Sequence, residues 1–130
     1  MSAYKTIKCS FKDKKTLLES LKNLGYKPVE YEEKHNLRGY QNDTREEKAE
    51  IIVPKEQILR ASNDLGFSYD EKEKEFIMLC SDFDNHQGVS DKVRQSYAVT
   101  AIKNALKKNK FSINTEEKNK TITISASKII

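Results

Sequence analysis

Phe76-Ile77-Met78-Leu79-Cys80 is the most continuous apolar run in the chain, and its reading decides the fold. A run apolar at every position suits a strand covered on both faces, so this segment predicts a central strand. Working toward the N-terminus, Phe67-Ser68-Tyr69 reads as its neighbour, and the charged segment Asp70 to Lys74 between them predicts a hairpin. Working toward the C-terminus, Ser90 to Lys108 is the best helix. Ser90 is placed to cap it, and Asp91 favours the positive end of the helix dipole. Val93, Tyr97, Ala98, Ala101, Ile102, Ala105 and Leu106 form its apolar face.

The outer segments extend this pattern. Tyr4 to Phe11 alternates in part, with Ile7, Cys9 and Phe11 on one side, and reads as a half-buried strand. Ser10 or Asp13 then caps a helix to about Leu24, whose face is Leu17, Leu18, Leu21 and Leu24; Gly25 suits its left-handed end. Tyr26 to Tyr31 is extended around Pro28. His35 to Tyr40 and Ala49 to Val53 read as strands joined by an acidic turn, Asn42 to Lys48. Lys55 to Asn63 fits a short helix or an irregular crossover. Phe111 to Thr115 and Thr121 to Ser125 read as two last strands around the turn Glu116 to Lys120. The expected fold is α+β: one domain over residues 1–130, a mostly antiparallel sheet with two main helices packed on one face. Two half-sheets are the alternative.

Composition bounds the class. The chain has 130 residues, of which 36% are hydrophobic and 34% charged, fitting a thin two-layer domain with a solvated surface. No run of about 18 apolar residues is present, so no membrane span is expected. Met1 to Lys15 lacks a continuous apolar stretch, which argues against a signal peptide. Cys9 and Cys80 are far apart and strand-flanked, and read as buried free thiols in a reducing compartment. The net charge of +4 is unevenly distributed. Residues 1–27 carry seven Lys against two acids, residues 28–91 carry eight bases against sixteen acids, and residues 92–110 carry six bases and no acid.

Four spaced segments carry a family likeness: Leu37-Arg38-Gly39-Tyr40-Gln41, Ala49 to Val53, Asn63-Asp64-Leu65-Gly66-Phe67-Ser68, and Arg94 to Ala98. Their order and spacing resemble the Ycf35 family of cyanobacteria, algal plastids and scattered bacterial and viral genomes. The resemblance implies a family without an established activity. It departs at Ser96, which stands where that family's helix segment carries an arginine.

Within these segments the residue chemistry suggests roles. Arg38 offers a planar fork for carboxylate or phosphate, Tyr40 a stacking face, and Gln41 an amide, beside Gly39, whose presence in a strand implies a bulge or a close backbone approach. The plainer reading pairs Arg38 internally, with Glu30 or Glu50. Asp64-Leu65-Gly66-Phe67 reads as a turn with Gly66 at positive φ and Phe67 entering the core. Arg94 falls within the apolar face of the last helix and needs either a carboxylate, such as Asp64 or Asp82, or an exit to solvent. Lys92, Lys103, Lys107 and Lys110 lie within about 60° of one another at about 100° per residue, a stripe that suits phosphates or merely a solvated face.

Catalytic signatures are sparse. His35 and His86 are the only histidines, and no zinc spacing, phosphate-binding loop or nucleophile elbow is present. Asp82 to His86 reads as a polar loop rather than a cation site, and Cys80 as an inert thiol. The expectation is a binding or adaptor module with no cofactor or metal. Its contact residues would be Arg38, Tyr40, Gln41, Asp64 and Arg94, with a protein partner. The alternatives are nucleic-acid binding through the four lysines, or an enzyme built on Arg38, Tyr40 and Asp64. The expected location is the cytosol or the plastid stroma, or the host cytosol for a viral gene product.

Overall fold

Alternating strand residues separate to two faces of a five-stranded sheet in the computed structural model, which describes residues 3–108. The elements are β1 (Tyr4–Phe11), α1 (Lys14–Asn23), β2 (Val29–Arg38), β3 (Thr44–Val53), a single 3-10 turn (Lys55–Gln57), β4 (Leu65–Asp70), β5 (Glu75–Ser81), α2 (Asp82–His86) and α3 (Val89–Lys108). The strand order is β1-β5-β4-β3-β2, and each neighbouring pair is antiparallel. The run Phe76–Cys80 is internal as expected, lying in β5 between β1 and β4.

One face carries the main core. Ile51, Val53, Leu65, Phe67, Phe76, Met78 and Cys80 point to it and meet Leu17 and Leu21 of α1 and Val89 and Val93 of α3. Each such side chain fully removed from water contributes about 1.5–3 kcal/mol. The helices meet at a small residue: Ser20 is fully buried, its hydroxyl donates to Thr16 O (2.6 Å), and its carbonyl accepts from Ser96 Oγ (2.8 Å). Asp13 caps α1 by accepting from Thr16 N at 2.9 Å, and Gly25 follows the helix at φ +90.

The opposite face is covered by the chain's own β2–β3 hairpin. In a flat sheet β2 and β4 would stand two strand spacings, roughly 9.5 Å, apart. Instead Asp64 N, just before β4, donates directly to Arg38 O at the end of β2 (3.0 Å). The outer half of the hairpin therefore bends across the sheet, with register shifts in β2–β3 pairing on the way. Leu37 and Ala49 become fully buried against Ile52 and Leu79, flanked by Tyr4 and Tyr31. Gly66 makes room for this. A Cβ there would stand 2.9 Å from both Leu37 methyls and 3.0 Å from Ala49 Cβ.

Several sequence expectations are corrected. The two extended pieces before Tyr40 form the single strand β2, and the joining turn covers only residues 39–43, because Thr44 to Lys48 pair with β2. Gly66 is a strand residue under a packed leucine, not a positive-φ turn. Residues 82–86 are a short helix, α2, capped by the Ser81 hydroxyl. Ser90 is not the cap of α3: the helix already starts at Val89 after Gly88 (φ +89), and the buried Ser90 hydroxyl donates to Asn85 Oδ1. Ala98 is exposed rather than on the buried face. Lys55 to Asn63 resolves into the 3-10 turn and an irregular crossover. The strands expected at 111–115 and 121–125 lie outside the described residues, as does Lys110.

Candidate functional site

The bent hairpin brings Arg38 onto the rim of the sheet, where Asp64 fixes it. Asp64 is only 4% exposed, and its carboxylate accepts four N–H groups. Three come from Arg38: the main-chain N (2.9 Å) and Nε (3.1 Å) to Oδ2, and NH2 (2.9 Å) to Oδ1. The fourth is Lys55 N, to Oδ1 at 3.0 Å. A buried carboxylate needs this degree of satisfaction, since removing its donors would strand a charge. The outer edge of the same guanidinium meets Glu56, with NH1 to Oε2 at 3.1 Å and NH2 to Oε1 at 2.6 Å. These two carboxylates, Glu56 first, raise the Arg38 pKa, and Arg38 in turn lowers that of Glu56.

Two more cations converge beside it on Gly39, which is buried. A Cβ at Gly39 would fall onto the Arg45 guanidinium, so the residue must be glycine for Arg45 to lie there. Arg45 Nε also donates to Asp43 Oδ2 (2.6 Å). From the other side, Lys55 Nζ donates to Gly39 O (3.0 Å) and Tyr40 O (3.1 Å). Tyr4 closes the floor: its hydroxyl lies 2.6 Å from Asp64 O and 3.2 Å from Arg38 O, and its one proton serves the nearer carbonyl. Burial first, then the Asp64 charge, pushes the Tyr4 phenol up. Asp84 of α2 steadies the approach to Asp64 by accepting from Ser62 N (2.8 Å) and Asn63 N (3.1 Å).

Of the residues singled out in the sequence, Arg38 and Asp64 meet directly. Tyr40 and Gln41 sit in the adjoining turn, exposed, Tyr40 by 61%. Arg94 is not with them. It is exposed on α3 and pairs with Asp91 of the same helix (2.5 Å). Its expected partners are otherwise engaged: Asp64 holds Arg38, and Asp82 faces Lys5 (3.5 Å). Glu30 and Glu50 do not pair with Arg38 either; Glu30 faces Lys14 (3.2 Å), and Glu50 accepts from Tyr69 N (3.0 Å). Tyr4, Arg45, Lys55, Glu56 and Asp84 were missed. Only Asp84 had a local signal, as third residue after the capping Ser81.

Lys92, Lys103 and Lys107 are exposed as expected, and among the described residues none forms an ion pair. They border two open grooves between α1 and α3. One, of about 780 Å³, adds Lys15, Lys22 and Lys108 but also Asp13 and Glu19. The other, of about 510 Å³, joins Lys92 and Lys103 to Asn23, Gln95 and Thr100. Among the described residues no cluster of three His, Cys, Asp or Glu is arranged to hold a metal ion. No helix among them is long and apolar enough to cross a membrane.

The sequence model of a family described as "Protein of unknown function (DUF1257)" matches residues 20–125. That span is most of the chain and takes in the bent hairpin and Asp64. The chain belongs to the DUF1257 family. No curated protein and no solved structure matches it. The DUF1257 match begins inside α1, so Tyr4 and the rest of β1 stand before it.

Proposed function

We propose that this DUF1257 chain is a single-domain, Ycf35-like binding module of adaptor type. Its contact surface is the hub around Gly39, centred on the Arg38 fork, and its partner is a protein presenting acidic side chains. One observation carries this reading. A buried carboxylate, Asp64, holds the Arg38 guanidinium from behind while the opposite edge of the fork stays at the surface. Such pre-organisation of a planar donor suits recognition. Arg45 and Lys55 add charge at the same point, and the exposed Tyr40 adds an aromatic face. The four donors on Asp64 weigh against an enzyme reading in which this carboxylate takes a proton.

A second reading, nucleic-acid binding, is supported by the lysines beside the α1–α3 grooves, which form no ion pair among the described residues. The carboxylates of Asp13 and Glu19 in the larger groove weaken it, as does the lack, among the described residues, of aromatic rings lining either groove. Fluorescence anisotropy with a labelled hexaglutamate peptide and a labelled single-stranded oligonucleotide, at low salt, separates the two. Arg38→Lys keeps the charge but loses the fork. It should weaken peptide binding at least fivefold and leave the oligonucleotide unaffected. Peptide binding untouched by R38K but abolished by K92E/K103E/K107E would move the contact surface to the helices.

A further inference from the structure

We infer that Glu56 is an internal stand-in for the partner's carboxylate, displaced when the partner binds; this rests on the hub reading above. The geometry separates what holds the site from what fills it. Arg38 is held by Asp64 through its main-chain N, Nε and NH2, and none of these bonds involves Glu56. The 3-10 turn carrying Glu56 is likewise held by its neighbours. Lys55 N donates to Asp64, while the Gln57 amide accepts from Lys27 N (2.6 Å) and donates to Lys27 O (2.9 Å). Among the described residues, the Glu56 side-chain oxygens hydrogen-bond the Arg38 guanidinium and Glu56's own main-chain N–H, and the side chain is 61% exposed.

Releasing Glu56 therefore leaves both the fork and the turn in place. The vacated NH1 and NH2 edge is already spaced for two carboxylate oxygens, because a carboxylate sits there now. An incoming Asp or Glu side chain exchanges one two-oxygen contact for another. The Lys55 charge, which already favours the Glu56 carboxylate, favours the newcomer in the same way. The ligand class that follows is a carboxylate on a polypeptide. Tethered so close, Glu56 competes at high effective concentration and sets a threshold that isolated acids do not pass.

Removing the competitor tests this. Glu56→Ala should bind the hexaglutamate peptide at least threefold more tightly than the parent. The gain should persist on a K92E/K103E/K107E background and vanish in E56A/R38K, with urea midpoints confirming that each variant is folded. Unchanged or weaker binding by E56A overturns the inference; the hub reading survives that result if R38K alone weakens binding, and falls with it if R38K does not. In E56A, displacement of the peptide by inorganic phosphate at lower concentration than by acetate would overturn the carboxylate assignment.

Discussion

Asp13 shows how far one side chain can be read from sequence and what its chemistry then predicts. Its carboxylate caps α1, accepting from the Thr16 hydroxyl (2.5 Å) and the Thr16 amide (2.9 Å), which together hold its pKa below the usual carboxylate value. Asp13→Ala should cost about 1 kcal/mol at pH 7. A folded-state pKa below the unfolded one means that the unfolded chain takes up the proton first. The cap's contribution is thus present above the unfolded value, about 3.9, and is lost as pH falls through the lower folded value. Urea unfolding of parent and D13A should converge on going from pH 7 toward pH 2, whereas an unchanging gap would assign the loss to something other than the ionised cap. Arg38 was legible as a residue of interest but not as to its partner. Asp64 and Glu56 lie 26 and 18 positions away, and no local pattern links them. Arg94 was legible in part: its exit to solvent was one of the two readings and is what the structure has, but its carboxylate partner was not Asp64 or Asp82. A helical projection placed it on the apolar face, whereas its guanidinium is exposed and pairs with Asp91, one turn earlier on the same helix.

At the level of elements, the helices and the apolar strands were readable because their periodicity is local. The β2–β3 hairpin was readable only in part: strands at 35–40 and 49–53 around a turn were expected, but neither the extent of the strands nor the bend was. Thr44-Arg45-Glu46-Glu47-Lys48 has the composition of a turn, and it is a strand because Ala49 and Leu37 are buried against the back of the sheet. That burial depends on Gly66. Propensity alone favours valine over glycine in a strand by up to about 1 kcal/mol. Packing predicts the opposite, since any Cβ at position 66 meets Leu37 at 2.9 Å and Ala49 at 3.0 Å. Gly66→Val should destabilise the fold by about 2 kcal/mol, within the range for an overfilled core. It should also speed amide exchange in residues 36–48. A G66V protein as stable as its parent would mean that the hairpin does not rest on β4.

Across the whole molecule, the sheet is closed on one face by two helices and on the other by its own bent hairpin. The first closure was expected from the amphipathic patterns, and the second has no counterpart in the sequence. The charge segregation seen along the chain survives in space where it can be followed, with lysines bordering the α1–α3 grooves. The hub mixes the signs, gathering Arg38, Arg45 and Lys55 with Asp43, Glu56 and Asp64 inside the acid-rich middle of the chain, assembled by folding alone. Its keystone is the contact between Arg38 and Asp64, which also pins the hairpin across the sheet. A double-mutant cycle on that pair, read by urea unfolding of the parent, R38A, D64A and R38A/D64A, measures it most directly. The expected coupling is at least about 1.5 kcal/mol, because the hydrogen bonds end on a buried carboxylate. Single losses that add to within about 0.5 kcal/mol would contradict a hairpin clamped by this pair.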